Sequence, residues 1–176
     1  MGHPVLAAKA VPVGDPTDPE IRRLVADMVE TMVDANGAGL AAPQVHVPLR
    51  VVVFQAPGER ADPGLSEEEA FDHTAALTVL INPEIEILGE DKDGGWEGCL
   101  SVPGLRGFVE RPAHIRYSGY DQDGRRIERT AKGFHARVVQ HEVDHLDGIL
   151  YPGRMGDMSK LIFESEVRHW AKESDE

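Results

Sequence analysis

Apolar residues recur between Pro19 and Ala35 at three- and four-residue intervals: Ile21, Leu24, Val25, Met28, Val29, Met32 and Val33. That spacing collects them on one face and predicts an amphipathic helix. Asp18 is placed to cap it, Pro19 suits its first position, and Asn36-Gly37 supplies the stop. Arg50 to Gln55 then changes to a short, nearly continuous apolar run of strand length. Thr78 to Leu88 predicts another strand, broken at Asn82-Pro83. His114–Asp121 and Arg126–Lys132 flank Gln122-Asp123-Gly124, a hairpin signal. A second helix is expected from Phe134 or His135 to Gly148, and a last one from an N-cap at Ser159 to about Trp170. Pro57 to Phe71 is polar, acidic and punctuated by Pro and Gly, which predicts a surface loop. No repeat or linker divides the chain. Residues 1–176 therefore predict a single α+β domain, with antiparallel β-sheet packed around a central helix.

The formal net charge of −13 excludes a large electrostatic footprint on nucleic acid. Much of that acidity reads as solubilising surface, notably Ser66–Glu69 and the tail Glu173–Glu176. The apolar runs are too short to span a bilayer. Met1–Leu6 has neither a basic leader nor a long apolar region, so no secretory signal is expected. Cys99 is the one cysteine, which rules out an intrachain disulfide and points to a reducing cytoplasm.

Chemistry enters with His141-Glu142-Val143-Asp144-His145 inside the second predicted helix. A four-residue step returns to the same helix face, with Cβ atoms about 5–6 Å apart. Two imidazoles can then hold one ion while Glu142 reaches a water beside it. A catalytic site of this kind needs a third ligand. Tyr151 stands where one peptidase class carries another histidine, and it is a poor ligand. Glu164 and Glu166 lie where a second class takes a downstream glutamate. Cys99 is the other choice, in the glycine-rich run Gly94-Gly95-Trp96-Glu97-Gly98-Cys99-Leu100-Ser101. Asp144 and Gln140 flank the histidines and are candidates to orient an imidazole. A third segment, Gly37-Ala38-Gly39-Leu40-Ala41-Ala42-Pro43-Gln44, is built of small residues that permit close backbone approach. It ends in an amide able to donate to an oxyanion.

Together, Gly37–Gln44, Glu97–Ser101 and His141–His145 resemble the three motifs of peptide deformylase, in that family's order. The likeness runs from about His3 to Met158. It implies an α+β domain around a metal-binding helix, and hydrolysis of the N-formyl group from the initiator methionine of nascent chains. It implies that Cys99, His141 and His145 are the metal ligands and Glu142 the general acid/base. Gln44 and the Leu100 backbone N–H would form the oxyanion site, and Gly39, Leu40, Glu97, Gly98 and Arg106 would bind the peptide. The ion implied is Fe2+ in the cell, with Zn2+, Ni2+ or Co2+ as substitutes. Three departures stand out. Trp96 occupies a position often acidic, and Arg137 one that is apolar in some members and close to the methionine pocket. The segment Leu161–Glu176 is acidic rather than a basic ribosome-docking helix, so ribosome contact is not expected. Two rival readings remain: a metallopeptidase using Glu164 or Glu166, and a structural metal clamp, for which no second cysteine is available.

Overall fold

The Asp18 carboxylate accepts the Glu20 N–H at 2.8 Å and starts helix α1, Pro19–Asp34, as its sequence predicts. Ile21, Val25, Met28 and Met32 form its buried stripe with Leu24 and Val29 partly buried beside it, whereas Val33 of the expected face is exposed. This computed structural model describes residues 1–60 and 64–170. The acidic tail Glu173–Glu176 and positions 61–63 of the expected loop lie outside the described residues. After α1 the chain forms β1, Gly39–Ala41, and turns back through Ala42–Val45 into β2, Val51–Ala56. Gly39 pairs with Phe54 and Ala41 with Val52 in antiparallel register.

The expected loop at Pro57–Phe71 instead contains helix α2, Glu67–His73. Its origin is a reciprocal cap. Ser66 Oγ accepts the Glu69 N–H at 3.3 Å and donates to the Glu69 carboxylate at 2.6 Å. Polarity concealed that signal. The helix docks because Thr130 donates to Asp72 and Arg129 donates to the Phe71 and Thr74 carbonyls.

Strand β3, Ala75–Ile87, carries the expected break as an irregularity between Ile81 and Glu84, where Asn82 adopts φ 52° and pairs both ways with the Val13 backbone. Next come β4, Lys92–Cys99, and β5, Val102–Pro112, which the sequence reading did not foresee. Glycines weaken the strand signal there, yet Gly94 is required by packing: a Cβ would lie 2.5 Å from Cζ of the Phe108 ring. The hairpin is β6, His114–Tyr120, with β7, Arg126–Lys132, and helix α3 spans Gly133–Leu146.

The helix expected from Ser159 to Trp170 is not what forms. Asp157, not Ser159, caps a single turn at Met158–Lys160, accepting the Ser159 N–H and hydroxyl. Leu161–Phe163 then becomes β8, Glu164–Glu166 forms a 3-10 turn, and among the described residues the α-helix is confined to Val167–Trp170, α4. The open edge of β5 decides this: Leu161, Ile162 and Phe163 pair with Gly107, Arg106 and Leu105.

Two antiparallel sheets result, ordered β1-β2-β3-β6-β7 and β4-β5-β8. The five-stranded sheet is covered on both faces, which explains the unalternating apolar run of β2. Val52 and Phe54 pack with Val139 and Leu146 of α3, while Val51 and Val53 pack with Met28 and Met32 of α1. Helix α3 is buried from His135 to Leu146, and β1 and β4, both edge strands, approach it. The α+β expectation holds.

Gly148 lets the chain leave α3. It adopts φ +74°, and a Cβ there would lie 2.6 Å from the Ala7 carbonyl oxygen. Gly148→Ala should cost about 2 kcal/mol or more, from the left-handed backbone and the collision, and lower Tm by roughly 5 °C. Thermal melts of the two proteins check this; equal Tm values would refute it.

Candidate metal centre

The four-residue step on α3 brings the His141 and His145 rings to 5.0 Å between centroids, nearly perpendicular. Cys99 ends β4, just before the turn into β5. Its Sγ lies 3.3 Å from His145 Nε2, and one ligand atom from each of the three residues falls within 4.8 Å of the others. Among the described residues no fourth Cys, His, Asp or Glu joins them.

The surroundings fit a cation. Buried atoms Glu142 Oε2 and His145 Nδ1 have no hydrogen-bond partner among the described residues. Burial and the charge of His141 hold His145 down at about 3, so it is a neutral imidazole. Burial also opposes the charge on His141, but hydrogen bonds to Cys99 and Glu97 outweigh it and raise that ring to about 10. A divalent ion held by these three ligand atoms would take the place of the His141 proton. Burial lifts the Glu142 carboxyl to about 7, the range suited to a general base. Gly39 makes the close approach possible, since a Cβ there would lie 2.6 Å from Glu142 Cδ.

Glu97 organises one side of the centre. Its Oε2 lies 2.8 Å from His141 Nδ1, which leaves His141 Nε2 for the ligand cluster. Arg111 donates to both Glu97 oxygens at 2.6 and 2.9 Å, and Arg137 donates to Oε1 at 2.8 Å. Burial alone would raise the Glu97 carboxyl, but the Arg111 and His141 hydrogen bonds hold it well below the usual carboxylate range. Arg111 also donates to Asp144, which accepts Arg154 as well. Asp144 therefore binds guanidiniums rather than an imidazole. Gln140 binds the Pro112 and Ala136 carbonyls and orients neither histidine.

Sequence reasoning missed Arg111 and Arg154. One signal was available for the former: Gly107, Val109 and Arg111 alternate as inward positions of β5, so Arg111 is an arginine in phase with the core.

The other expected residues divide. Gln44 accepts the Ala41 N–H at 2.8 Å and aims its amide nitrogen at Ser101 Oγ, 3.2 Å, and Cys99 Sγ, 3.6 Å. Gly39, Glu97, Gly98, Leu100 and Arg106 line a cavity of about 510 Å³ together with Glu142. Leu40 does not line it; its side chain is buried in the core beside α1. Alternation along β1 turns Leu40 away while Gly39 faces the cavity. Arg106 is paired with Glu164 at 2.6 Å on the rim. Glu164 is thus engaged elsewhere, and neither it nor Glu166 joins the histidines. Tyr151 is buried and stacked on the His141 ring, 6.3 Å between centroids.

The polypeptide deformylase family profile matches residues 1–161. Peptide deformylase 1 of Bordetella pertussis is 53% identical over 163 residues, 92% of this chain and 88% of the relative. Peptide deformylase 2 of Ralstonia nicotianae is 51% identical over 165 residues, covering 93% and 88%. Among solved structures, a Synechococcus elongatus peptide deformylase in complex with actinonin matches with TM-score 0.76 and 38% identity, over 91% of this chain and 80% of that one. A class I type b peptide deformylase from Acinetobacter baumannii, bound to Met-Ala-Ser, matches with TM-score 0.76 and 35% identity, over 88% and 94%.

Removing Arg111 takes the bidentate partner from buried Glu97 and one of the two arginines from Asp144. Arg111→Leu should cost about 3–5 kcal/mol in denaturant unfolding. It should also weaken metal retention about 10–100-fold in competition with a chelator, because Glu97, left with Arg137 alone among its arginines, holds His141 less firmly. Unchanged values for both would show that the network is decorative.

Proposed function

This chain belongs to the polypeptide deformylase family, and from that premise we propose that Cys99, His141 and His145 hold one divalent ion while Glu142, Gln44 and the Leu100 N–H carry out the acid–base and oxyanion work. The protein is a hydrolase that removes the N-formyl group from nascent peptides. The observation that carries the residue assignment is the convergence of three ligand atoms within 4.8 Å beside a buried, unpartnered Glu142 oxygen.

Bound at these ligands, the ion supplies Lewis acidity, activating water and polarising the formyl carbonyl. Glu142 takes the proton as water adds to the formyl carbon, then returns it to the leaving amine. Gln44 Nε2 and the Leu100 N–H donate to the developing oxyanion. The formamide C–N bond breaks, giving formate and a free N-terminal methionine. Edge strands β1 and β4 flank the cavity, so an extended peptide can align its backbone between them, past Gly39 and Gly98, toward Arg106. The metallopeptidase reading loses support because Glu164 is committed to Arg106. The structural-clamp reading loses it because three ligands leave a coordination position open.

No helix among the described residues is long and apolar enough to cross a membrane, and a lone thiolate ligand suits the reducing cytoplasm. Glu164 and Glu166 offset Lys160 and Arg168 in the last described segment, which gives ribosomal RNA no basic surface to hold.

Glu142→Ala should reduce formate release from formyl-Met-Ala-Ser by about 10²–10⁴ while metal content stays near that of the wild type. A variant that keeps more than about a tenth of the activity would remove Glu142 from this role.

For the ion, we propose Fe2+ as the working metal, with Zn2+, Ni2+ or Co2+ substituting. Affinity favours zinc over ferrous iron at a thiolate with two imidazoles. A thiolate also donates charge and blunts the Lewis acidity of zinc. Protein reconstituted anaerobically with Fe2+ should therefore show a clearly higher kcat/KM than the zinc form. Equal rates at matched metal content would defeat the iron assignment.

A further inference from the structure

Helix α3 presents Phe134, Arg137, Val138 and His141 to the cavity, at the spacing of one helix face. The face carries His141 and borders Glu142, so a substrate side chain next to an amide held there has this face as one of its walls. Three of the four residues are apolar or belong to the ligand set. The fourth is a guanidinium, only 8% exposed.

Arg137 is tightly held. Nη1 donates to Glu97 Oε1 at 2.8 Å and to the Val109 carbonyl at 2.9 Å, and Nη2 donates to the Asp93 carbonyl at 2.8 Å. The Nε–H has no acceptor among the described residues. Gly95 makes the space: a Cβ there would lie 2.9 Å from Cζ and 3.0 Å from Nε. Neutralising Glu97 does not by itself require Arg137, since Arg111 already binds both of its oxygens.

Resting on the deformylase reading, we propose that Arg137, seated on Gly95, is a specificity-determining residue that lets the side-chain pocket accept a formylated methionine sulfoxide as well as formyl-methionine. Oxidation turns the thioether into a polar group with a strong acceptor oxygen, and an all-apolar pocket would strip that oxygen of water without replacing the hydrogen bond. Arg137 Nε–H supplies it. The reaction is unchanged: water adds, the formamide C–N bond breaks, formate leaves, the amine takes the proton, and the sulfoxide is neither oxidised nor reduced. A hydrogen bond from a charged donor to a buried acceptor corresponds to roughly 10–100-fold in discrimination.

The test compares kcat/KM for formyl-Met-Ala-Ser and its sulfoxide in the wild type, Arg137→Leu and Gly95→Ala. The wild type should process the sulfoxide within about tenfold of the thioether. Arg137→Leu should lower the sulfoxide-to-thioether ratio by roughly 10–100-fold. Gly95→Ala, which displaces the guanidinium but keeps its charge near Glu97, should lower the ratio in the same direction and stands in if Arg137→Leu does not fold. Calorimetric titration with the products Met-Ala-Ser and its sulfoxide should show the same ordering in binding, a readout that a purely structural arginine would not move. A ratio unchanged in the variants, or a wild type that rejects the sulfoxide more than about a hundredfold, overturns the proposal. Wild-type enzyme that releases no formate from formyl-Met-Ala-Ser sinks the deformylase reading itself.

Discussion

A carboxylate taken out of water is tolerated only when nearby cations and donors replace its hydration, and Glu97 meets that demand with Arg111, Arg137 and His141. The pairing has a direction. Because Glu97 holds His141 by Nδ1, the other ring nitrogen faces Cys99 and His145. Because Arg111 spans from Glu97 to Asp144, the strand that carries it is fastened to the helix that carries the histidines. Arg154 extends the chain of charges to the surface. The candidate metal centre is therefore preorganised by electrostatics running across the junction of two sheets and one helix.

Helix α3 can bear this load because it is buried along nearly its whole length. Leu146 and Val139 anchor one side in the five-stranded sheet, and His141 and Glu142 turn the other toward the cavity. An unpartnered buried carboxyl costs stability here. Glu142 has no hydrogen-bond partner for Oε2, and burial raises its carboxyl to about 7. In metal-free protein its protonation stabilises the fold below the ordinary glutamate pKa, and that stabilisation fades as pH rises through about 7. An ion beside it would relieve the same cost, which couples metal binding to folding.

Glycine serves the site by subtraction. Gly39 makes room for the Glu142 carboxyl, Gly95 for Arg137 and Gly98 for the Arg106 guanidinium. In each case a backbone comes within contact distance of a functional side chain, which any Cβ would prevent. The glycine-rich motifs are thus packing statements as much as flexible turns.

Local physics made much of this legible in advance. The α1 stripe, the hairpin at Asp123-Gly124 and the His141–His145 spacing are set within a few residues, by helix period, turn chemistry and capping, and they form as the sequence alone requires. Small residues at Gly37–Gln44 and a lone thiol at Cys99 likewise marked the two segments that converge on the histidines. What the sequence could not determine depended on partners distant along the chain. Leu161–Phe163 became a strand because β5 offered an unpaired edge, although the residues after Ser159 had favoured a helix. Leu40 faced the core because of β1 register, and Arg111, Asp144 and Arg154 found one another only through tertiary packing. A buried ion pair leaves no periodic trace in a sequence, since its two members need only be adjacent in space once the strands and the helix have come together.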